Sequence, residues 1–157
     1  MPISAVQLHQ VPAVAVAVVR RQATPAELSR VVPECCGIVW KALRAQHVRG
    51  GRHIAIYLGE DDRVEIGAEL IDSFTEQGEV LRSATPSGMV ASLTHFGPYP
   101  ALATTHDAIR SWCRQNGHAL AGPSWEVYGH WLEAWNHDPS QIRTDVFYLV
   151  GTGGRGS

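Results

Sequence analysis

The order of elements predicted by the sequence occurs twice along the chain. The first half has a β-branched run that reads as a strand, VAVAVVR, then a segment with helical spacing, ECCGIVWKALRAQ, and then two alternating runs, HIAIYLG and VEIGAEL. The second half repeats this order with MVASLTHF, ALATTHDAIRSWCRQNG, SWEVYGHW and TDVFYLV. Pro12 and Pro86 precede the two leading strands. We therefore predict an α+β fold of two pseudo-symmetric βαββ units, repeat 1 at about 4–72 and repeat 2 at about 79–150.

Length and composition indicate one soluble domain. Of the 157 residues, 45% are apolar and 18% are charged, which is ordinary for a globular protein. A single domain over residues 1–150 fits this length, followed by a flexible tail, GTGGRGS, at 151–157. The formal net charge is −2 and there is no basic block, so we expect no nucleic-acid partner. Nothing in the sequence indicates an oligomeric state.

One apolar run near the N-terminus, Val11–Val19, resembles the core of a signal peptide. No basic residue precedes it, and Arg20 and Arg21 follow where a small-residue cleavage site would stand. The run is also too short to span a bilayer. We therefore predict a buried strand in a cytoplasmic protein that has no contact with membranes.

The two repeats also predict where a ligand could bind. We align the halves so that Leu43 matches Trp112 and Tyr57 matches Glu126. Period-2 alternation then gives each half one sheet face covered by its helix and one face left open. Two such units packed side by side would enclose a central groove, which is where ligand sites usually form. The residues assigned to the open faces are His53, Ala55, Tyr57 and Gly67 in the first half and Ser124, Glu126, Tyr128 and Phe147 in the second.

Four short motifs in the second half carry a resemblance to a known family. They are H-x-G-P-Y at His95–Tyr99, N-G at Asn116–Gly117, G-P-x-x-E-x-Y at Gly122–Tyr128, and T-D-V in the last predicted strand. In this order they resemble the GyrI-like small-molecule-binding family, whose fold also forms the effector domain of drug-sensing MerR- and AraC-type regulators. The resemblance implies two βαββ units around a central groove. It also implies that the motif glutamate, here Glu126, meets the ligand beside Tyr128.

The same resemblance suggests two functions. Family ligands are typically flat, aromatic and often cationic, and some stand-alone members hydrolyse the cyclopropane ring of DNA-alkylating natural products. The first expectation is therefore a hydrolase that detoxifies such a compound, and the alternative is a non-catalytic binder that sequesters or senses aromatic, cationic drugs. No helix-turn-helix segment precedes the domain in this sequence, so we do not expect a transcription regulator.

Glu126 is the candidate catalytic residue, and its setting leaves three interpretations open. Trp125, Tyr128 and Trp131 surround it in the sequence. A purely structural buried carboxylate would need a partner such as an arginine, which no neighbour in sequence supplies. An anchor for a cationic ligand would use its charge at low dielectric. A catalytic base would use the proton affinity that desolvation by aromatic rings confers.

The candidate ligand-binding residues are mostly aromatic. We expect Tyr57, Tyr128 and Phe147 to form groove walls that stack on a flat ligand. His53 shares the open face, and Trp40 can line the edge of the groove. Trp131 would enter the groove only if a bulge at Gly129 turned it there.

The sequence predicts neither a metal site nor a cofactor. His130, Glu133 and His137 have a spacing that would converge on an ion in a helix, but their segment reads as strand and loop. The three cysteines, Cys35, Cys36 and Cys113, form no metal-knuckle pattern and no disulfide framework. No G-x-S-x-G elbow indicates a serine nucleophile.

Overall fold

The computed structural model describes residues 5–151 of the chain. Within that range eight strands and three helices alternate along the chain, which confirms the predicted α+β class. In chain order they are β1 Gln7–Val11, β2 Ala15–Gln22, α1 Leu28–Ala45, β3 Gly50–Tyr57, β4 Arg63–Leu70, β5 Leu81–Ala84, β6 Gly88–Phe96, α2 Leu102–Gln115, β7 Leu120–Tyr128, α3 Ala134–His137 and β8 Arg143–Val150.

The chain forms two compact units, each with one helix packed on an antiparallel set of four strands. The first unit is Ala13–Pro86, and the second combines the residues up to Pro12 with those from Ser87 on. Strand order is β3-β4-β2-β5 in the first unit and β1-β6-β8-β7 in the second. Each unit therefore contains one predicted βαββ repeat and one additional strand.

The additional strands do not follow the predicted repeat boundaries. β1 lies within the stretch assigned to repeat 1, but it pairs with β6 of the second unit. β5 lies within the stretch assigned to repeat 2, but it pairs with β2 of the first unit. The chain passes from one unit to the other next to Pro12 and Pro86, the two prolines that mark the repeats in the sequence.

Only the second part of the apolar run near the N-terminus is the predicted buried strand. Val16, Val18 and Val19 in β2 are fully buried, whereas Val11 ends β1 and Val14 is exposed. None of the helices within residues 5–151 is long and apolar enough to cross a membrane. Of the predicted flexible tail, only Gly151 is described, and its N–H donates to Ala119 O at 2.7 Å; residues 152–157 lie outside the described part.

In the first unit the predicted face assignment is wrong. A Cβ placed on Gly50 would lie 2.9 Å from Leu43 Cδ1 of α1 and 3.8 Å from Ala68 Cβ, so α1 covers the face that carries Ala68. His53 is directly opposite Ala68, and Ala55 and Tyr57 follow on the same face. These three residues therefore lie on the helix side. Of the predicted open-face residues in this unit, only Gly67, opposite Ile54, lies on the other face.

The same inversion occurs in the second unit. α2 contributes Leu102, Ile109 and Cys113 to a core cluster that also contains Val146 and Tyr148 of β8. Glu126 is directly opposite Val146, so Glu126 lies under α2 rather than on a face left open by it. Ser124 and Tyr128 share that face.

Phe147 lies on the opposite face from Glu126. It is directly opposite Trp125, and the two rings stack with centroids 5.3 Å apart and planes 15° apart. The alternation misled because these strands are buried on both sides: Ile54, Ala55 and Ile56 are at most 1% exposed, and Trp125, like Glu126, is buried. In such a strand apolar alternation does not identify the helix side.

The strand pairs also correct the alignment of the two units. The Tyr57–Val64 pair corresponds to Tyr128–Thr144, and the Ala55–Ile66 pair corresponds to Glu126–Val146. The counterpart of Glu126 is therefore Ala55 and not Tyr57. The predicted alignment of the two helices is wrong by one position as well. After α1, Val48 N–H donates to Leu43 O, and the matching hydrogen bond after α2 runs from His118 N–H to Cys113 O. Cys113, and not Trp112, is the counterpart of Leu43.

Candidate functional site

Glu126 is a buried carboxylate whose two oxygens both accept hydrogen bonds. Its exposed fraction is 5%. Tyr128 O–H donates to Oε1 at 2.5 Å, and Nε2 of His106 lies 2.6 Å from Oε2. Hydrogen bonds of this kind stabilise the ionised form of a carboxylate that burial would otherwise disfavour. The partner that a buried carboxylate requires is therefore a histidine from α2, not an arginine.

His106 is brought to Glu126 by the geometry of α2. It follows Leu102 by one helical turn and precedes Ile109 by one, and both of these residues belong to the core cluster. The imidazole is 13% exposed and lies edge-to-face with the Tyr148 ring, with centroids 5.5 Å apart. Its Nδ1 is 2.6 Å from the Tyr148 phenol oxygen. His106 therefore connects Glu126 on β7 with Tyr148 on β8.

Arg110 completes the connection on the outer side. Its Nη1 donates to the Tyr148 phenol oxygen at 2.8 Å, and its guanidinium carbon lies 5.9 Å from the centroid of that ring. Arg110 also forms an ion pair with Asp107, three residues earlier in α2. Burial raises the pKa of Tyr148, although the nearby Arg110 charge acts in the other direction. The phenol is therefore protonated at neutral pH and can donate.

These contacts determine where the protons sit. Arginine can only donate, so the Tyr148 oxygen accepts from Arg110 and its own proton is available to Nδ1 of His106. The ring proton of a neutral His106 is then on Nε2, directed at Glu126. We call the resulting series Tyr128–Glu126–His106–Tyr148–Arg110 the Glu126 chain. Each of its hydrogen bonds has one donor and one acceptor.

A second buried polar group adjoins the same helix. Nδ1 of His95 lies 2.8 Å from Thr105 Oγ1 in α2, and Nε2 lies 3.2 Å from Pro98 O in the turn before it. His95 thus holds the start of α2 to β6. Thr144 lies directly opposite both His95 and Tyr128, and it is fully buried. Its Oγ1 has no hydrogen-bond partner among residues 5–151.

The structure gives each predicted ligand-binding residue a place within its own unit. Tyr128 contacts Glu126, and its ring meets that of Tyr99 edge-on with centroids 5.6 Å apart. Tyr57 and His53 lie on the α1 side of β3 in the first unit. Trp40 is 47% exposed on α1. The roles of these side chains in ligand binding stay predictions.

Trp131 lies outside β7, which ends at Tyr128. There is no bulge at Gly129, because its N–H continues the ladder to Arg143 O at 3.0 Å. The irregular register of β7 lies instead between Leu120 and Ser124. Trp131 is 52% exposed and packs edge-on against Trp135, with centroids 5.3 Å apart.

The segment with possible metal ligands forms a short helix rather than the predicted strand and loop. His137 ends α3, and Glu133 immediately precedes it. In the part of the chain that the structure describes, no three histidine, cysteine, aspartate or glutamate side chains are arranged to hold a metal ion.

Comparison with protein families identifies the chain. Residues 4–150 match the GyrI-like small molecule binding domain. The chain belongs to the GyrI-like family. The match extends through the first half, where the sequence motifs are weakest, and it makes this chain a small-molecule-binding domain. No curated protein matches it in sequence.

Solved structures with the GyrI-like fold resemble the chain at low sequence identity. The C-terminal domain of EcmrR superposes with a TM-score of 0.77 at 18% identity, covering 96% of this chain and 99% of that one. SAV2435 bound to tetraphenylphosphonium gives 0.65 at 11% identity, covering 97% of both chains. A hydrolase encoded by lin2189 from Listeria innocua gives 0.59 at 12% identity, covering 93% and 91%. At these identities the likeness establishes the fold alone.

In this GyrI-like domain the sequence analysis found Glu126 and Tyr128 but missed the rest of the Glu126 chain. His106, Tyr148 and Arg110 were not predicted as site residues. One signal was available: His106 shares the helical spacing of Leu102 and Ile109, so it points to the core in a helix with few other polar residues on that side. Tyr148 carried no comparable signal, because a tyrosine in an apolar strand is ordinary.

Proposed function

We propose that this domain takes a flat aromatic natural product or drug at Glu126 and hydrolyses a strained cyclopropane in it. The observation that carries the proposal is the buried carboxylate of Glu126, held by Tyr128 and His106. A fixed, desolvated carboxylate is suited to accept a proton from a water molecule beside a bound substrate. The hydrolase from Listeria innocua with a similar fold supports the proposal by analogy only.

The reaction would need no cofactor. The water oxygen would form a bond to a cyclopropane carbon while its proton passes to Glu126. The ring carbon–carbon bond would break, and its electron pair would move into a conjugated carbonyl group, which would then take up the proton. The product would be one water heavier than the substrate and would no longer alkylate DNA. The biological result would be resistance to the compound.

A non-catalytic drug binder is the second candidate, and one observation favours it. Both oxygens of Glu126 already accept hydrogen bonds, which holds the negative charge in place and weakens the carboxylate as a base. A permanent negative charge among aromatic rings suits a lipophilic cation that donates no hydrogen bonds. The tetraphenylphosphonium complex of SAV2435 is a case of this ligand class on a similar fold.

One experiment separates the two functions. The protein is incubated with a cyclopropane-bearing DNA-alkylating compound, and the mixture is denatured and examined by mass spectrometry. We expect a product one water heavier, formed at a rate that falls by about 100-fold or more in Glu126→Gln. Unchanged compound recovered from a tight complex would instead support the binder.

The matched control is His118→Gln. His118 stacks on Trp112 in the same unit and makes no contact in the Glu126 chain, so its replacement should leave the rate unchanged. If Glu126→Gln also left both turnover and affinity unchanged, Glu126 would not be the site.

A further inference from the structure

Glu126 is not held by its neighbours on the strand alone, since one of its oxygens depends on α2. Tyr128 is two residues away on β7, whereas His106 reaches Oε2 from the helix. The carboxylate therefore keeps its present orientation only while His106 presents a proton at Nε2. Because an ionised carboxylate can only accept, a neutral His106 in this position carries its hydrogen on Nε2.

Tyr148 and Arg110 are compatible with that tautomer. The phenol oxygen accepts from Arg110, so its own proton can go to Nδ1 of His106. The guanidinium of Arg110 is in turn held by Asp107 at the surface of α2. The Glu126 chain thus offers Nδ1 a donor while Nε2 donates to Glu126.

The same geometry argues against His106 as the base. Its Nε2 already carries a proton, so it cannot accept another at the atom that faces Glu126. Its Nδ1 is turned toward Tyr148 and away from the carboxylate. The groups near His106 include the Glu126 carboxylate on β7, the neutral Tyr148 phenol on β8, and Asp107 and Arg110 on its own helix. Glu126 is therefore the group that we propose exchanges a proton with a ligand.

We infer that His106 is a positioning residue, which donates from Nε2 to Oε2 of Glu126 and keeps that carboxylate ionised and in one orientation for its ligand. Tyr148 lies behind it and can donate to Nδ1 in that tautomer. The inference rests on the proposed function in one respect, namely that Glu126 meets the ligand. It applies equally to a base that must face water and to an anchor that must face a cation.

The first arm of the test needs no ligand. Long-range nitrogen–proton NMR on the uniformly nitrogen-15-labelled protein reports the tautomer of each histidine, and His106→Gln assigns the His106 signals. We expect Nε2–H for His106 at neutral pH. In Tyr148→Phe, which keeps the ring but removes the O–H, we expect the Nε2–H form to persist, because the Glu126 carboxylate can only accept. A His106 found as Nδ1–H in the wild-type protein would overturn the inference.

The second arm uses rescue by a conservative variant. Glutamine can place a side-chain N–H near the position of Nε2, whereas leucine fills similar space without a donor. Titration with tetraphenylphosphonium should show affinity reduced by about tenfold in His106→Leu and largely retained in His106→Gln. His118→Gln is the control for loss of an unrelated histidine. Equal losses in the glutamine and leucine variants would reduce His106 to a packing residue and overturn the inference.

The two arms fail separately. If the wild-type protein neither binds tetraphenylphosphonium nor converts a cyclopropane compound, the proposed function fails, while the NMR arm still decides whether His106 holds the stated tautomer. If binding or turnover occurs but His106→Leu is equivalent to wild type, the proposed function stands and the positioning role is wrong.

Discussion

The two units have the same scaffold but fill the space between helix and sheet differently. Matching Leu43 with Cys113 in the helices, and Ala55 with Glu126 in the strands, aligns three further positions. Where the second unit has the polar residues His106, Arg110, Glu126 and Tyr148, the first unit has Cys36, Trp40, Ala55 and Ala68.

This difference separates what the repeat needs as a scaffold from what the second unit adds. The first unit buries Ala55 and Ala68 and needs no hydrogen bonds there. The second unit buries a charge at the matching place and supplies a donor for each of its oxygens. A buried charge is costly unless such hydrogen bonds accompany it. A βαββ repeat therefore does not require the Glu126 chain, which agrees with the proposal that Glu126 meets a ligand.

The largest effect is expected when a carboxylate is placed in the first unit without the hydrogen-bond partners that Glu126 has in the second. Ala55→Glu places a carboxylate in a fully buried position of the first unit, where the residues matching His106 and Tyr148 are Cys36 and Ala68. An unpaired buried charge is strongly destabilising, so we expect the free energy of unfolding to fall by about 3–5 kcal/mol. Urea denaturation measures this loss.

The control for Ala55→Glu is Ala55→Gln, which has nearly the same size without the charge. The glutamine variant should be damaged by crowding but less than the glutamate variant. Equal stability of the two variants would mean that the first unit can solvate or pair a charge at Ala55, and the contrast with Glu126 would lose its physical basis.

Much of the fold was predictable from the sequence because it depends on local patterns. The β-branched run Val16–Val19 could only be a buried strand or a membrane segment, and its length excluded the second. The two prolines that precede the repeats mark the places where the chain changes units. Glu126 and Tyr128 were found because a family motif contains both.

The face of each strand was not predictable, for two physical reasons. First, Ile54 and Ala55 are both fully buried, so alternation gives no polar face to exclude. Second, β3 and β7 each begin with an irregular register, between Gly50 and His53 in β3 and between Leu120 and Ser124 in β7. The irregular stretch of β7 contains one residue more than that of β3. Extra residues of this kind shift every later side chain, and no sequence signal marked them.

A smaller effect tests whether the first unit is apolar at Cys36, which occupies the place of His106. Burial raises the pKa of the Cys36 thiol to about 12. An unfolded thiol ionises near pH 8.5, so the native state loses stability as pH rises from about 8.5 toward 12. We expect a decrease of about 1–2 kcal/mol between pH 8 and pH 10, measured by urea denaturation.

Cys36→Ala should flatten this alkaline decrease, whatever it does to stability at neutral pH. The slope against pH is the informative quantity, because it removes the effect of lost packing. Curves for the variant and the wild type that stay parallel up to pH 10 would show that Cys36 ionises as readily in the native state as in the unfolded one. The first unit would then be more polar at this position than the comparison states.

The smallest expected effect concerns Thr144, the one position where the second unit is polar without evident need. Its counterpart in the first unit is Val64, since Thr144 lies opposite Tyr128 as Val64 lies opposite Tyr57. Thr144 Oγ1 is buried without a hydrogen-bond partner among residues 5–151. Thr144→Val keeps the shape and removes the unsatisfied hydroxyl, so it should stabilise the protein by about 1 kcal/mol. The reverse change, Val64→Thr, should destabilise it by about 1–3 kcal/mol.

Thermal and urea unfolding of the two single variants test this pair directly. A destabilised Thr144→Val would mean that the hydroxyl does have a partner in solution, such as a buried water. Ligand titration then adds the decisive detail, because Thr144 adjoins Tyr128, which holds Glu126. If Thr144→Val gains stability but loses affinity for tetraphenylphosphonium, the unsatisfied hydroxyl belongs to the site. If it gains stability and binds as wild type does, Thr144 is a scaffold position, and the functional difference between the units is confined to the Glu126 chain.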